Sequence, residues 1–353
     1  MGFFLQHFVW EKEKCYDILN SAKMYCEEEI AMKTIKIGGV LEASEMALGC
    51  MRDCRIPFED AEKLVLTAVD EGINFFDHAD VYGAGASEEY FGRILERNPG
   101  IRNKILVQSK CALIRDTEKT LYIDTTKEHI IESVENSMKR LKVDHLDTFL
   151  LHRADTLMEP DDVAEAFDIL HSSGKVRYFG VSNFKTMDLM YLQSCINQRL
   201  IINQMQLSVA HTTLIDPTDS VQLNEADNVD RNGGVLTYMR MNKMTAQAWS
   251  PFQVRFYGGV FMKDDGYPIL NSVVNRMAEE KGVSPSAIAI AWILRHPAKI
   301  QPLIGTTNKD RLKDICTASN VTISREEWYE LYRATLSDEK RAQVGNSNPK
   351  PAK

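Results

Sequence analysis

Asp77, Tyr82, Lys110 and His152 are the side chains of this sequence with the types and spacing to do chemistry together. Asp77 and Tyr82 share the stretch Phe76-Asp77-His78-Ala79-Asp80-Val81-Tyr82-Gly83, while Lys110 closes one apolar run and His152 closes the next. If these runs end on one rim of a single barrel, they bring together a phenol, a cation beside it and an imidazole, which is equipment for reducing a carbonyl. A free tyrosine ionises near pH ~10, too high for efficient acid–base work at neutrality. An ammonium against the phenol is expected to lower that value, and a buried aspartate to keep the lysine charged and aimed. The histidine is expected to hydrogen-bond the substrate oxygen. Each residue alone has a plainer reading: a lysine ending a strand is usually solvated, and His152 beside Arg153 can bond to backbone.

Convergence requires a particular set of elements. Strands are expected at Met46–Met51, Asn74–Asp77, Ile105–Lys110, Leu146–His152, Val176–Val181, Ile201–Gln206, Thr245–Ser250 and Gln301–Gly305. Most are short, nearly continuous apolar runs, as in parallel strands buried on both faces. Between them, Ala61, Leu64, Val65, Ala68 and Val69 mark a helical stripe that stops at Gly72, and Val163, Ala166, Phe167 and Leu170 mark another that stops before Gly174. Glycine just past the last apolar position is a helix C-terminal signal. Ile130, Val134, Met138 and Leu141 form a third stripe, and Ser284-Pro285 is an N-cap and first-turn pair for a helix through Leu294. This alternation predicts an α/β fold, a (β/α)8 TIM barrel as one domain. An open doubly wound sheet carries the same alternation.

The composition suits a compact enzyme. The chain has 353 residues, 44% hydrophobic and 26% charged, and its net charge of -8 argues against general affinity for nucleic acid or anionic membrane. No apolar stretch is long enough to span a bilayer as a helix. The 7 cysteines (Cys15, Cys26, Cys50, Cys54, Cys111, Cys195 and Cys316) lack metal-ligand spacing and read as reduced thiols of a cytosolic protein. No metal is expected, and nothing in the residues signals an oligomeric state.

Residues 1–31 stand outside the barrel pattern. Phe3, Phe4, Leu5, Phe8, Val9 and Trp10 form an apolar stretch without the basic region or cleavage site of a signal peptide, and Gln6 breaks the myristoylation pattern. The segment reads either as a helix packed on the barrel or as sequence translated from upstream of a start at Met32, since Glu27-Glu28-Glu29 is what a purine-rich ribosome-binding site encodes. The barrel is expected over 32–335 and a polar, disordered tail over 336–353.

With these motifs in order, the chain resembles the aldo-keto reductases, (β/α)8 enzymes that reduce carbonyls with a nicotinamide cofactor. The resemblance runs from about Lys33 to Ala334 and rests on Asp77 followed by Tyr82-Gly83, the Lys110 strand end, Leu150-Leu151-His152, Gly180-Val181-Ser182-Asn183-Phe184 and Ala248-Trp249-Ser250-Pro251. It implies Asp77, Tyr82, Lys110 and His152 as a catalytic tetrad. It further implies that Ser182, Asn183 and Gln204 hold the nicotinamide carboxamide, that Trp249 stacks on the ring where many members have tyrosine, and that Gly49, Cys50 and Met51 lie along the cofactor. Ser250, Pro251, Phe252 and Gln253 would wrap the pyrophosphate. No Gly-x-Gly-x-x-Gly follows a strand, so no Rossmann domain is required. The adenosine end is expected at Gly305, Thr306, Thr307 and the helix start leading to Arg311, whose guanidinium suits a 2′-phosphate. NADPH is therefore expected in preference to NADH, although the family often has lysine where Gly305 stands; Lys309 is a candidate to compensate.

The expected reaction is reversible reduction of an aldehyde or ketone, with Tyr82 giving the proton. Two other readings stay open: an aldolase using Lys110 as a Schiff-base lysine, and a cofactor-binding regulatory subunit. A short loop after His152 (154–158) suggests an open site that accepts several aldehydes. The polar stretch His211–Gly234 reads as a surface excursion.

Overall fold

The computed structural model describes residues 32–115, 121–216, 232–254 and 259–335. The N-terminal extension, most of the 211–234 excursion and the polar tail lie outside the described residues.

The described chain opens with an antiparallel hairpin, β1 (Thr34–Ile37) and β2 (Leu41–Ser44), turned at Gly38 and Gly39, whose φ of 58° and 75° are left-handed values that glycine adopts without strain. There follow β3 (Ala47–Gly49), β4 (Phe75–Asp77), β5 (Leu106–Cys111), a second hairpin β6 (Leu113–Arg115) and β7 (Leu121–Ile123), then β8 (Leu146–Leu151), β9 (Val176–Ser182), β10 (Leu200–Gln206), β11 (Thr245–Trp249) and β12 (Gln301–Ile304). Strands β3, β4, β5 and β8 to β12 form a closed parallel barrel in which β12 returns to β3 through Leu303↔Ala47 and Ile304↔Leu48. That closing pair decides for the barrel over the open sheet. Each expected strand is present within two residues of its expected ends.

The two hairpins were not expected from the sequence. β1 and β2 alternate exposed and buried positions, and Ile37, Leu41 and Ala43 pack against Ala47, Phe75, Ile201 and Leu303. They close the apolar inside of the barrel at the end where the strands begin. Strand β6 puts Leu113 and Ile114 on the opposite mouth.

The helices follow their stripes. Phe58–Asp70 buries Phe58, Ala61, Leu64, Val65 and Ala68, and the chain leaves it through Gly72 at φ 84°. Pro285–Leu294 is buried over most of its circumference, and the Ser284 hydroxyl accepts from Ala287 N at 3.2 Å, closing its N-terminus. Each fully buried Leu, Ile or Val in these faces contributes about 1.5–3 kcal/mol.

Helix Ala86–Arg97 crosses helix Lys127–Leu141 at Gly92, where a Cβ would lie 2.1 Å from the Arg140 carbonyl oxygen and 2.9 Å from the Leu141 carbonyl carbon. The pair is tied to the barrel by Glu88, which is fully buried and accepts from Arg140 Nε at 2.7 Å and Ser109 Oγ at 2.5 Å. Gly92→Ala should therefore push apart backbone that has no room to yield. The expected loss is about 2–3 kcal/mol, read as a lower urea midpoint at unchanged slope.

Candidate active site

At the C-terminal ends of the barrel strands an open cleft of about 1010 Å³ has Asp77, Tyr82 and His152 in its wall. Asp77 ends β4 and Lys110 is the next-to-last residue of β5, so the closed barrel aims both inward. Tyr82 arrives from the loop after β4, which turns through Gly83 at φ 60° and Gly85 at φ 91°. His152 follows β8 directly, and its ring meets that of Tyr82 edge-on at 5.9 Å. The four expected residues are thus brought together.

Lys110 is fully buried and its ammonium has three partners: Asp77 Oδ1 at 2.7 Å, the His78 carbonyl at 2.6 Å and the Tyr82 hydroxyl at 3.2 Å. An ammonium has three N–H groups, so all are used. Burial works against the charged lysine, but the Asp77 carboxylate, together with the hydrogen bonds to Asp77 and Tyr82, outweighs it and raises the Lys110 pKa. Tyr82 departs from expectation. Burial raises its pKa above 10.0, and the nearby Lys110 ammonium offsets this only in part, so the phenol stays protonated at neutrality rather than becoming more acidic. His152 is held well below 6.5 by burial and then by the Lys110 and Arg153 charges, so its imidazole is neutral. Its Nδ1 is shut away without a partner, which leaves Nε2 to the cleft. His78, with both ring nitrogens unpartnered, is lowered to about 3 by burial and by Lys110 and stays neutral against Phe91.

Beside the tetrad, Trp249 Nε1 donates to Asn183 Oδ1 at 3.1 Å, Asn183 Nδ2 donates to Ser182 Oγ at 2.7 Å, and Ser182 Oγ donates to the Gln204 carbonyl at 2.9 Å. This chain joins the ends of β9, β10 and β11. Asn183 and Ser250 take left-handed φ of 62° and 53°, which turns the backbone sharply at the rim. The Gln204 side-chain nitrogen turns into the barrel: its Nε2 donates to Asp77 Oδ1 and Gln247 Oε1, each at 3.0 Å.

Gly49, Met51, Ser182, Asn183, Gln204, Trp249, Ser250, Pro251, Phe252, Gln253, Gly305, Thr306 and Arg311 all line the cleft. Cys50 and Thr307 do not. Cys50 turns its side chain into the core while its backbone N donates to Asp77 O at 2.9 Å. Asn308 caps helix Lys309–Cys316 by accepting from Arg311 N at 2.8 Å. Lys309 is paired with Asp310 on the surface at 2.6 Å and is not among the residues lining the cleft.

Sequence reasoning missed a polar layer under the tetrad. Gln108, Thr148, Gln247 and Gln301 are all fully buried inside the barrel. The available signal was a glutamine inside runs otherwise read as apolar, because a buried amide has to find partners. Two further acids were also passed over. Asp80 lines the cleft and is raised to about 7 by burial and by Glu88, against the pull of Arg140 and Lys110. Asp53 is 1% exposed with neither carboxylate oxygen bonded, and burial raises it to about 7, an effect that the neighbouring Cys50 thiol offsets in part. Among the described residues no three metal-ligating side chains cluster, and no helix is long and apolar enough to cross a membrane.

Comparison with known proteins places this geometry in context. The model of the Aldo/keto reductase family matches residues 45–335. The chain is 33% identical over 316 residues to the 6-dehydroglucose reductase of Agrobacterium fabrum, covering 87% of this chain and 99% of the relative. It is 34% identical over 272 residues to oxidoreductase YdhF of Escherichia coli, covering 76% and 85% of the two chains. The fold is shared with the glycerol dehydrogenase AKR11B4 from Gluconobacter oxydans at TM-score 0.69 and 23% identity, over 92% of this chain and 99% of that one. An aldo/keto reductase from Klebsiella pneumoniae in complex with NADP and acetate matches at TM-score 0.68 and 22% identity, over 87% and 97%.

The buried Asp53 provides a test of the electrostatics that is separate from catalysis. Its folded value of about 7 lies above the unfolded value of 3.8, so the stability it allows is complete below about pH 4 and is lost as pH rises through 7. Asp53→Asn should therefore stabilise the protein more at pH 8 than at pH 5, by about 2–3 kcal/mol in the difference of urea unfolding free energies. An equal effect at both pH values would mean that the carboxyl is hydrated.

Proposed function

The chain belongs to the aldo/keto reductase family, and from that premise we propose that it reduces the aldehyde group of small hydroxylated compounds with NADPH as the hydride donor. The observation that carries the reading is the buried Asp77–Lys110 pair, with Lys110 Nζ 3.2 Å from the Tyr82 hydroxyl at the wall of the cleft.

The residues fit a nicotinamide dinucleotide. Both amide hydrogens of Gln204 are engaged inside the barrel, so its carbonyl oxygen is what it offers to a carboxamide at the cleft. Ser182 and Asn183 stand beside it, and half-buried Trp249 offers a flat face. At the far end Arg311 lines the cleft without an ion pair among the described residues, next to the N-terminus capped by Asn308, a combination that suits the 2′-phosphate of NADPH. The Klebsiella relative of the same fold was solved with NADP. When bound, the cofactor supplies the hydride that adds to the carbonyl carbon.

The protein's own groups handle the proton and the orientation. Neutral His152 presents Nε2–H to the substrate oxygen and aims the carbonyl. Tyr82, held protonated by burial, gives its proton to the same oxygen as negative charge develops there. The phenolate left behind is met by the Lys110 ammonium, whose charge Asp77 maintains. In the oxidative direction the same pair takes the proton back.

What supports this substrate class is that Asp80, His129, Glu132, Asn136 and Arg140 also line the cleft with hydrogen-bonding groups. Such groups suit hydroxyls better than an alkyl chain, and the name of the 6-dehydroglucose reductase relative points to the same sugar-derived class. A Schiff-base aldolase is disfavoured because Lys110 has all three N–H groups engaged and a raised pKa, leaving no free amine to attack a carbonyl.

Tyr82→Phe should lower kcat for aldehyde reduction by at least about a thousandfold while NADPH binding, followed by tryptophan fluorescence, stays within about twofold. Substantial activity in that variant would remove the proposed proton donor. Arg311→Ala should weaken NADPH binding about tenfold or more and leave NADH binding nearly unchanged. A matched loss for both cofactors would place the 2′-phosphate elsewhere.

A further inference from the structure

The reductase reading gives no work to Gln108, Thr148, Gln247 and Gln301, yet they form one directed chain behind the tetrad. Gln301 Nε2 donates to the Ser44 carbonyl at 2.7 Å, and Gln247 Nε2 donates to Gln301 Oε1 at 2.8 Å. The Gln247 oxygen accepts from Gln108 Nε2 at 2.9 Å and from Gln204 Nε2 at 3.0 Å. Those two amide nitrogens turn their second hydrogens to Asp77 Oδ1, at 2.6 Å from Gln108 and 3.0 Å from Gln204. The Asp77 carboxylate, which can only accept, fixes which way the Gln108 amide faces, and Thr148 Oγ1 donates to Gln108 Oε1 at 2.9 Å and anchors its other end.

Only one orientation of these amides satisfies every contact. Reversing Gln247 would set its NH2 against the NH2 groups of Gln108 and Gln204, and its oxygen against that of Gln301. A barrel layer of apolar side chains would avoid the cost of burying four amides and a hydroxyl, which folding alone does not require. What the layer delivers is two oriented N–H groups on Asp77 and, through Gln204, a carbonyl oxygen held toward the cleft.

We infer that Gln247 and Thr148 are positioning residues: they orient the amides of Gln108 and Gln204, so that Asp77 is clamped against Lys110 and the seat for the carboxamide is set by the same chain. The carboxamide seat and the proton-donating group are then adjusted through one hydrogen-bond network rather than separately. The inference rests on the reductase reading given above.

The test uses Gln247→Met, Gln247→Glu and Thr148→Val in the full-length protein, each first checked for wild-type thermal unfolding. Gln247→Met removes the shared acceptor. It should lower kcat about tenfold with the aldehyde KM within about twofold, and weaken NADPH binding by fluorescence about fivefold. Gln247→Glu, held neutral by burial, keeps one accepting oxygen and one donating O–H and should recover both values to within about threefold of wild type. Thr148→Val frees Gln108 alone, so kcat should fall about fivefold with NADPH affinity unchanged. If wild type reduces aldehydes with NADPH and the folded variants match it in kcat and in NADPH affinity, the inference is wrong while the reductase reading stands. Should Gln247→Met not fold, an unchanged kcat in Thr148→Val overturns it by itself. Absence of carbonyl reduction in wild type would instead overturn the reductase reading on which it rests.

Discussion

The ion pair between Asp77 and Lys110 is the interaction around which the site is built. Burying two charges costs several kcal/mol each unless geometry and further hydrogen bonds compensate. Here the compensation is explicit. Lys110 has three partners for three N–H groups, and Asp77 accepts from Lys110, Gln108 and Gln204. Such a pair is poor material for stability, since a hydrophobic replacement of similar volume would hold the barrel as well or better. Its value lies in keeping a full positive charge, without solvent, next to a phenol.

The electrostatics of that arrangement differ from a simple picture in which lysine acidifies tyrosine. Burial penalises the phenolate more than Lys110 rewards it, so Tyr82 rests as the acid. His152 rests neutral for the same reason, with Lys110 and Arg153 reinforcing the effect. The two groups that the proposed reaction uses as donors to a substrate oxygen are thus in their donating forms, and the ammonium stands where the proposed proton transfer would leave negative charge. In that proposal stabilisation is placed where charge develops rather than where it already exists.

Much of the fold was legible because parallel barrel strands are apolar on both faces and the helices between them repeat at helical spacing. Phe75–Asp77 and Leu146–Leu151 announce themselves as strands, and Phe58–Asp70 ends where Gly72 supplies a left-handed turn. The hairpins were not legible, since Thr34–Ile37 and Leu113–Arg115 are too short to show a period and draw their stability from the barrel ends they cover. In the site, the convergence of Asp77, Lys110 and His152 from strand ends with Tyr82 from the loop after β4 was readable from residue type and order. The direction of the Gln204 amide and the inward turn of Cys50 were not, because each depends on which neighbour the closed barrel puts within reach.

By itself the sequence determined the alternation of strands and helices, the polar identities at the strand ends, and the family to which the order of its motifs points. Only the tertiary structure decided that the sheet closes, because the pairing of Leu303 with Ala47 joins segments more than two hundred residues apart, which no local pattern encodes. It also decided the protonation states, since burial is a property of the assembled barrel and outweighs the lysine that sequence order alone makes prominent. The glutamine chain belongs to the same category. A glutamine within an apolar run signals only that a partner must exist, and closure of the barrel chooses which partner it is.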